Sequence, residues 1–109
     1  MAISAFIPEP ENEFEQLFSV PVATEAFFQA CWEPAVEPLG LQWVPGFASG
    51  IDVTKDDLPA VLAELEKLKL WAETELSGDR RDKMLERLER LAAELPHAFR
   101  REGAVVFIG

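Results

Sequence analysis

Two apolar stripes of helical period dominate the second half of the chain and narrow the folds open to it. In the first, Leu58, Val61, Leu62, Leu65, Leu68 and Ala72 recur at three- and four-residue spacing; in the second, Met84, Leu85, Leu88, Leu91, Ala92 and Leu95 do the same. Thr54-Lys55-Asp56-Asp57 is a helix-start signal with two acids at the positive end of the helix dipole, and Pro59 is tolerated only near a first turn. Ser77-Gly78 reads as the stop after Leu76, Asp79 as the cap of the second helix, and Pro96 as its end. Asp79 with Lys83 and Glu86 with Arg90 are expected i, i+4 pairs on the wet face, worth about 0.2–0.5 kcal/mol each. Two stripes of similar length with so short a connection predict an antiparallel helical hairpin. Such a hairpin needs an apolar partner: a sheet of the same domain, or a second copy of the chain.

The rest of the chain supplies the sheet. Ala2–Ile7, Leu41–Val44, Phe47–Val53 and Ala104–Ile108 read as strands, the two middle ones around Pro45-Gly46. The unbroken apolar run of the last predicts a central strand or one covered on both faces. Phe14, Leu17 and Phe18 suggest a short helix from near Pro10, although the same stretch also alternates like a strand. Thr24 can cap a helix carrying Phe28, Cys31 or Trp32, Ala35 and Leu39, with a kink near Glu33 because Pro34 sits inside the pattern. Pro38 and Gly40 close it. These elements predict one domain over residues 1–109 of the α+β class: a small, mainly antiparallel sheet of about four strands, with a kinked helix and a long antiparallel helical hairpin packed on one face.

Charge is distributed unevenly over that scaffold. Residues 1–54 hold eight acids (Glu9, Glu11, Glu13, Glu15, Glu25, Glu33, Glu37 and Asp52) and no lysine or arginine, whereas residues 55–109 hold 12 acids against 10 basic residues. The net charge of −10 argues against nucleic acid and against anionic membrane surfaces, both of which select clustered cations. It favours solubility and a basic partner found by electrostatic steering. The start of the chain lacks a basic, apolar leader, no stretch is long enough to span a membrane, and a single cysteine forms no internal disulfide; together these predict a cytoplasmic protein.

Catalytic groups are scarce. One cysteine, Cys31, and one histidine, His97, form a nucleophile–base pair only if the fold brings them together, and the apolar neighbours Phe27, Phe28 and Trp32 favour a packing role for Cys31. Glu94-Leu95-Pro96-His97 has the Glu-x-x-His spacing of di-iron bundles, but Pro96 interrupts the helix and no second copy exists, so neither metal nor cofactor is expected. Glu9, Glu11, Glu13 and Glu15 alternate, yet Pro8 and Pro10 favour a solvated acidic segment over a cation-binding strand. Gly46-Phe47-Ala48-Ser49-Gly50 lacks the Lys-Ser/Thr of a phosphate loop. Trp32, Trp43 and Trp71 read as core filling rather than a ligand pocket.

In size, acidity and lack of catalytic groups the chain is similar to bacterial immunity proteins, which neutralise toxins by binding them. The likeness is one of type, rests on no motif and carries over no site. The leading expectation is a non-enzymatic binding protein that offers the acidic first half to a basic protein, through Glu11, Glu13, Glu15, Glu33 and Glu37 with a nearby exposed aromatic as anchor. The alternatives are a structural or assembly protein that homodimerises through the hairpin or a sheet edge, and a small enzyme using Cys31 and His97.

Overall fold

The structure, a computed structural model that describes residues 2–109, opens with strand β1 (Ala2–Phe6), a one-turn helix α1 (Glu13–Leu17) and strand β2 (Ser19–Thr24). Asn12 caps α1, its side chain accepting the Glu15 N–H at 2.8 Å. Strand β2 follows the alternating stretch from Phe14, was not among the expected strands, and contains Pro21. The proline is tolerated because β2 is an edge of the sheet, where one backbone N–H is not needed for the ladder, while Val20 and Val22 alternate into the core.

Thr24 starts the next helix as expected, accepting the Phe27 N–H at 3.1 Å. Helix α2 (Glu25–Phe27) passes through a π turn (Phe28–Trp32) into α3 (Glu33–Leu39). The kink falls just before Pro34. Proline has no N–H for the carbonyl four residues back and its ring crowds that carbonyl; the widened turn relieves both, with the Glu33 N–H reaching Phe28 O instead. Gly40 ends α3 in the left-handed region at φ 65°.

The predicted strand over Leu41–Val44 is absent: these residues form successive turns, followed by a one-turn helix α4 (Gly46–Ser49). Only Ile51–Val53, β3, survives of the second predicted strand. A 3-10 turn (Lys55–Asp57) leads into α5 (Leu58–Glu75), and Asp57 accepts both the Thr54 N–H and its hydroxyl, at 3.0 and 2.9 Å. Helix α6 (Gly78–Glu94) begins from Ser77 in the cap position, so Asp79 lies in the first turn instead of capping it. A 3-10 turn (Leu95–Phe99) and strand β4 (Val106–Ile108) complete the fold. The expected surface pairs give way to others: Arg90 turns forward to Glu94 at 3.0 Å, and Lys83 lies over the Phe27 ring at 5.5 Å.

The sheet is antiparallel throughout, in the order β2-β1-β4-β3, so the class is α+β with a four-stranded sheet and a long helical pair. Its core face carries Ile3, Ala5, Val20, Val22, Val53, Val106 and Ile108, all buried. Helix α6 packs on β2, and α5 packs on α6 and α3. Val61, Leu65, Leu68 and Ala72 of the first stripe and Met84, Leu88, Leu91 and Leu95 of the second are buried in the same continuous core. The hairpin thus covers its own sheet. Trp32 fills the other end of the core, stacked on Phe28 at 5.7 Å and tilted against Phe47 at 6.4 Å.

Candidate binding surface

The second face of the sheet is not buried. Strand register aligns Ser19, Phe6, Phe107 and Asp52 in one row across all four strands. Phe6, Phe107, Val105, Ser4 and Pro21 are half-buried there, and Ser19 and Asp52 are exposed. The Phe6 and Phe107 rings meet edge to face, with centroids 5.5 Å apart at 64°. Phe107 also rests on a floor of two glycines. A Cβ on Gly50 would come within 2.5 Å of Phe107 Cζ, and one on Gly109 within 2.7 Å of Cε1; Gly50 in addition has φ 103°. Both positions require glycine for the ring to lie as it does. The result is a rigid apolar patch beside a carboxylate, at the β3 edge.

Beyond Asp52 and Val105 the face runs into a cleft of about 560 Å³ that Glu9, Glu11 and Arg101 also line. Arg101 holds this end of the molecule together. Its Nε donates to Glu15 Oε2 at 3.0 Å and its Nη2 to Glu15 Oε1 at 3.2 Å, and the same Nε is 3.0 Å from Glu11 Oε2. The Glu11 N–H donates to Glu15 Oε1 at 3.0 Å. Hydrogen bonding from Arg101, then from the Glu11 amide, holds the Glu15 carboxyl below its ordinary range against the opposing effect of burial. Reciprocally, Glu15 raises the Arg101 guanidinium.

A second buried carboxylate accounts for the missing strand. Glu64 of α5 accepts the N–H of Gln42 at 3.0 Å, of Trp43 at 3.0 and 3.1 Å, and of Val44 at 3.1 Å. Three successive amides aimed at one group curl the backbone, which an extended strand cannot do.

The five acids proposed from sequence differ in exposure and in partners. Glu15 is 2% exposed and engaged as described, so it faces no partner. Glu11 is exposed but paired with Arg101, and Glu13 is exposed on the first turn of α1. Glu33 and Glu37 are exposed one turn apart on α3 and, among the described residues, pair with no cation. Cys31 is fully buried, whereas His97 is exposed on the last 3-10 turn, and no hydrogen bond joins them. Trp32 lies in the core with its Nε1–H unpartnered, and Trp43 and Trp71 are half-buried against that core. Among the described residues no group of three or more His, Cys, Asp or Glu is placed to hold a metal.

Asp52, Phe6, Phe107 and Glu64 were not singled out by periodicity. For Glu64 a signal exists: it lies three residues after Val61 and four before Leu68, on the apolar stripe itself, where a charge demands a partner. The Phe6–Phe107 pair has no local signal, because the two residues stand at opposite ends of the chain. No family model, no curated protein and no solved structure matches this chain.

Proposed function

We propose that this is a non-enzymatic binding protein whose cation-free first half offers a negative surface to a basic protein partner. One observation carries the reading. Of the eight acids in residues 1–54, only Glu11 and Glu15 are ion-paired among the described residues, and the same Arg101 serves both. Glu9, Glu13, Glu25, Glu33, Glu37 and Asp52 are exposed without a counter-ion from the second half. Folding thus leaves the negative charge outward, where it accelerates encounter with a positive surface. A basic toxin, the target of the immunity proteins that this chain resembles in type, is one partner of this kind. Among the described residues no helix is long and apolar enough to cross a membrane. The test is retention of partners on the immobilised protein. Basic proteins held at about 50 mM salt and released at about 500 mM support the reading; retention that salt does not change, or of acidic proteins only, overturns it.

Assembly of like copies has one supporting observation. Leu70 is 57% exposed on α5, and a groove lined by Leu62, Leu65, Leu88 and Ala92 among others opens between α5 and α6. Light scattering that shows a dimer lost on Leu70→Glu would favour that role; a monomer at high concentration removes it.

A further inference from the structure

We infer that the open sheet face is the docking site for an arginine-bearing segment of the basic partner, with a guanidinium laid over Phe107 and its charge set against Asp52. The inference rests on the basic-partner reading and locates it. Three features support it. The row Ser19–Phe6–Phe107–Asp52 places a carboxylate directly beside an aromatic pair, so an arginine finds a ring face for its planar head and an acid for its charge in adjoining strands. Phe107 is seated before binding on the Gly50–Gly109 floor with Phe6 edge to face against it, which limits the side-chain entropy lost on docking.

The third feature is the chain's own use of its cations. Arg100 lies over the Phe14 ring at 3.8 Å and Lys83 over Phe27 at 5.5 Å. Among the described residues no cation lies over Phe6 or Phe107. At the β3 end of the face the charges are Asp52, with Glu9 and Glu11 in the adjoining cleft, whose cation Arg101 is held by Glu11 and Glu15; at the β2 end Ser19 shares a pocket with Arg90, which Glu94 holds. The rim therefore selects positive charge, and the patch selects a flat, weakly hydrated form of it, which is guanidinium rather than ammonium. Asp52 and Phe107 are the anchors, and Glu9 extends the negative rim.

The test is an NMR titration of the full chain with an arginine–glycine repeat peptide at about 50 mM salt, with a lysine–glycine peptide of equal length as comparison. The expected result is amide shifts centred on Phe6, Ser19, Asp52 and Phe107, with the arginine probe binding several-fold more tightly. Asp52→Asn, at an exposed position that leaves the core intact, weakens binding about fivefold, and Phe107→Leu about tenfold. The double variant Glu33→Gln/Glu37→Gln leaves it unchanged. Shifts centred on α3 with loss in that double variant, or equal binding of the two probes, overturn this inference and leave the basic-partner reading standing. Absence of binding by either probe at low salt overturns both.

Discussion

Glu15 and Glu64 are the two buried acids of this protein, and they are satisfied in opposite ways. Glu15 sits in the cation-free half and is neutralised by Arg101, 86 residues away. Glu64 sits on α5 in the half that carries every cation, yet it takes three backbone amides from the loop at 42–44, some 20 residues earlier. A carboxylate below the surface needs donors, and fixed amides serve as well as a cation. The difference explains why the molecule stays strongly negative outside. The second half pairs a single arginine with the acids of the first, and the other buried link between the halves, at Glu64, uses no cation. The exposed acids of residues 1–54 are left for the solvent or for a partner.

The comparison can be broken most sharply at Glu64. Glu64→Ala leaves three amides without their acceptor beside a fully buried Val44 and is expected to cost about 3–4 kcal/mol, read as a lower urea midpoint at unchanged slope. Glu64→Gln keeps one acceptor oxygen of two and loses roughly half as much. At the other acid the effect is smaller. Arg101→Met lowers the melting temperature by on the order of a few degrees, because the guanidinium side chain is 31% exposed and water can take its place. The paired variant Glu15→Gln/Arg101→Met is expected to melt higher than the sum of the two single losses allows, which a thermal-melt double-mutant cycle measures. If Glu64→Ala proves milder than Arg101→Met, the amide cradle is the weaker anchor of the two.

Acid bears on the Glu15 clasp. The Glu15 carboxyl is depressed below its ordinary value of 4.5 in the folded protein, so its contribution to stability is fully present above that value and is lost as the pH falls through the lower, folded one. The wild-type midpoint should therefore fall below about pH 4.5, and Glu15→Gln should flatten that part of the profile, as followed by tryptophan fluorescence. The smallest effect is that of salt. The part-exposed Arg101 clasp weakens between low salt and about 500 mM, while the Glu64 cradle, made of neutral amides, responds less. Amide exchange of residues 42–44 against that of residues 11–15 at the two salt levels resolves this.

Much of the scaffold was readable in advance. The two stripes, the Thr54 start signal, the Thr24 cap and the kink before Pro34 each depend on neighbours within about one turn, and all appear in the structure. Strand β2 was not among the expected strands; whether its Pro21 is acceptable depends on its being at an edge, and an edge exists only once the strand order is set. The expected strand at Leu41–Val44 was lost to Glu64, a long-range acceptor stronger than local preference. For the site, Glu33 and Glu37 are exposed, whereas Glu15 was expected at the surface and lies inside. No count of charges reveals which acid an arginine at position 101 will reach.

What the sequence determined by itself is the class of object: a helical hairpin needing a sheet, a small antiparallel sheet to receive it, and a first half with no cation of its own. These follow from periodicity and composition, which act over short range or over the whole chain at once. Only the tertiary structure decided which acids are spent inside, and that Phe6 and Phe107 meet in the open beside Asp52. The physical reason is strand order. With β4 between β1 and β3, the two ends of the chain are brought side by side, and the row of side chains that results belongs to no contiguous stretch of residues.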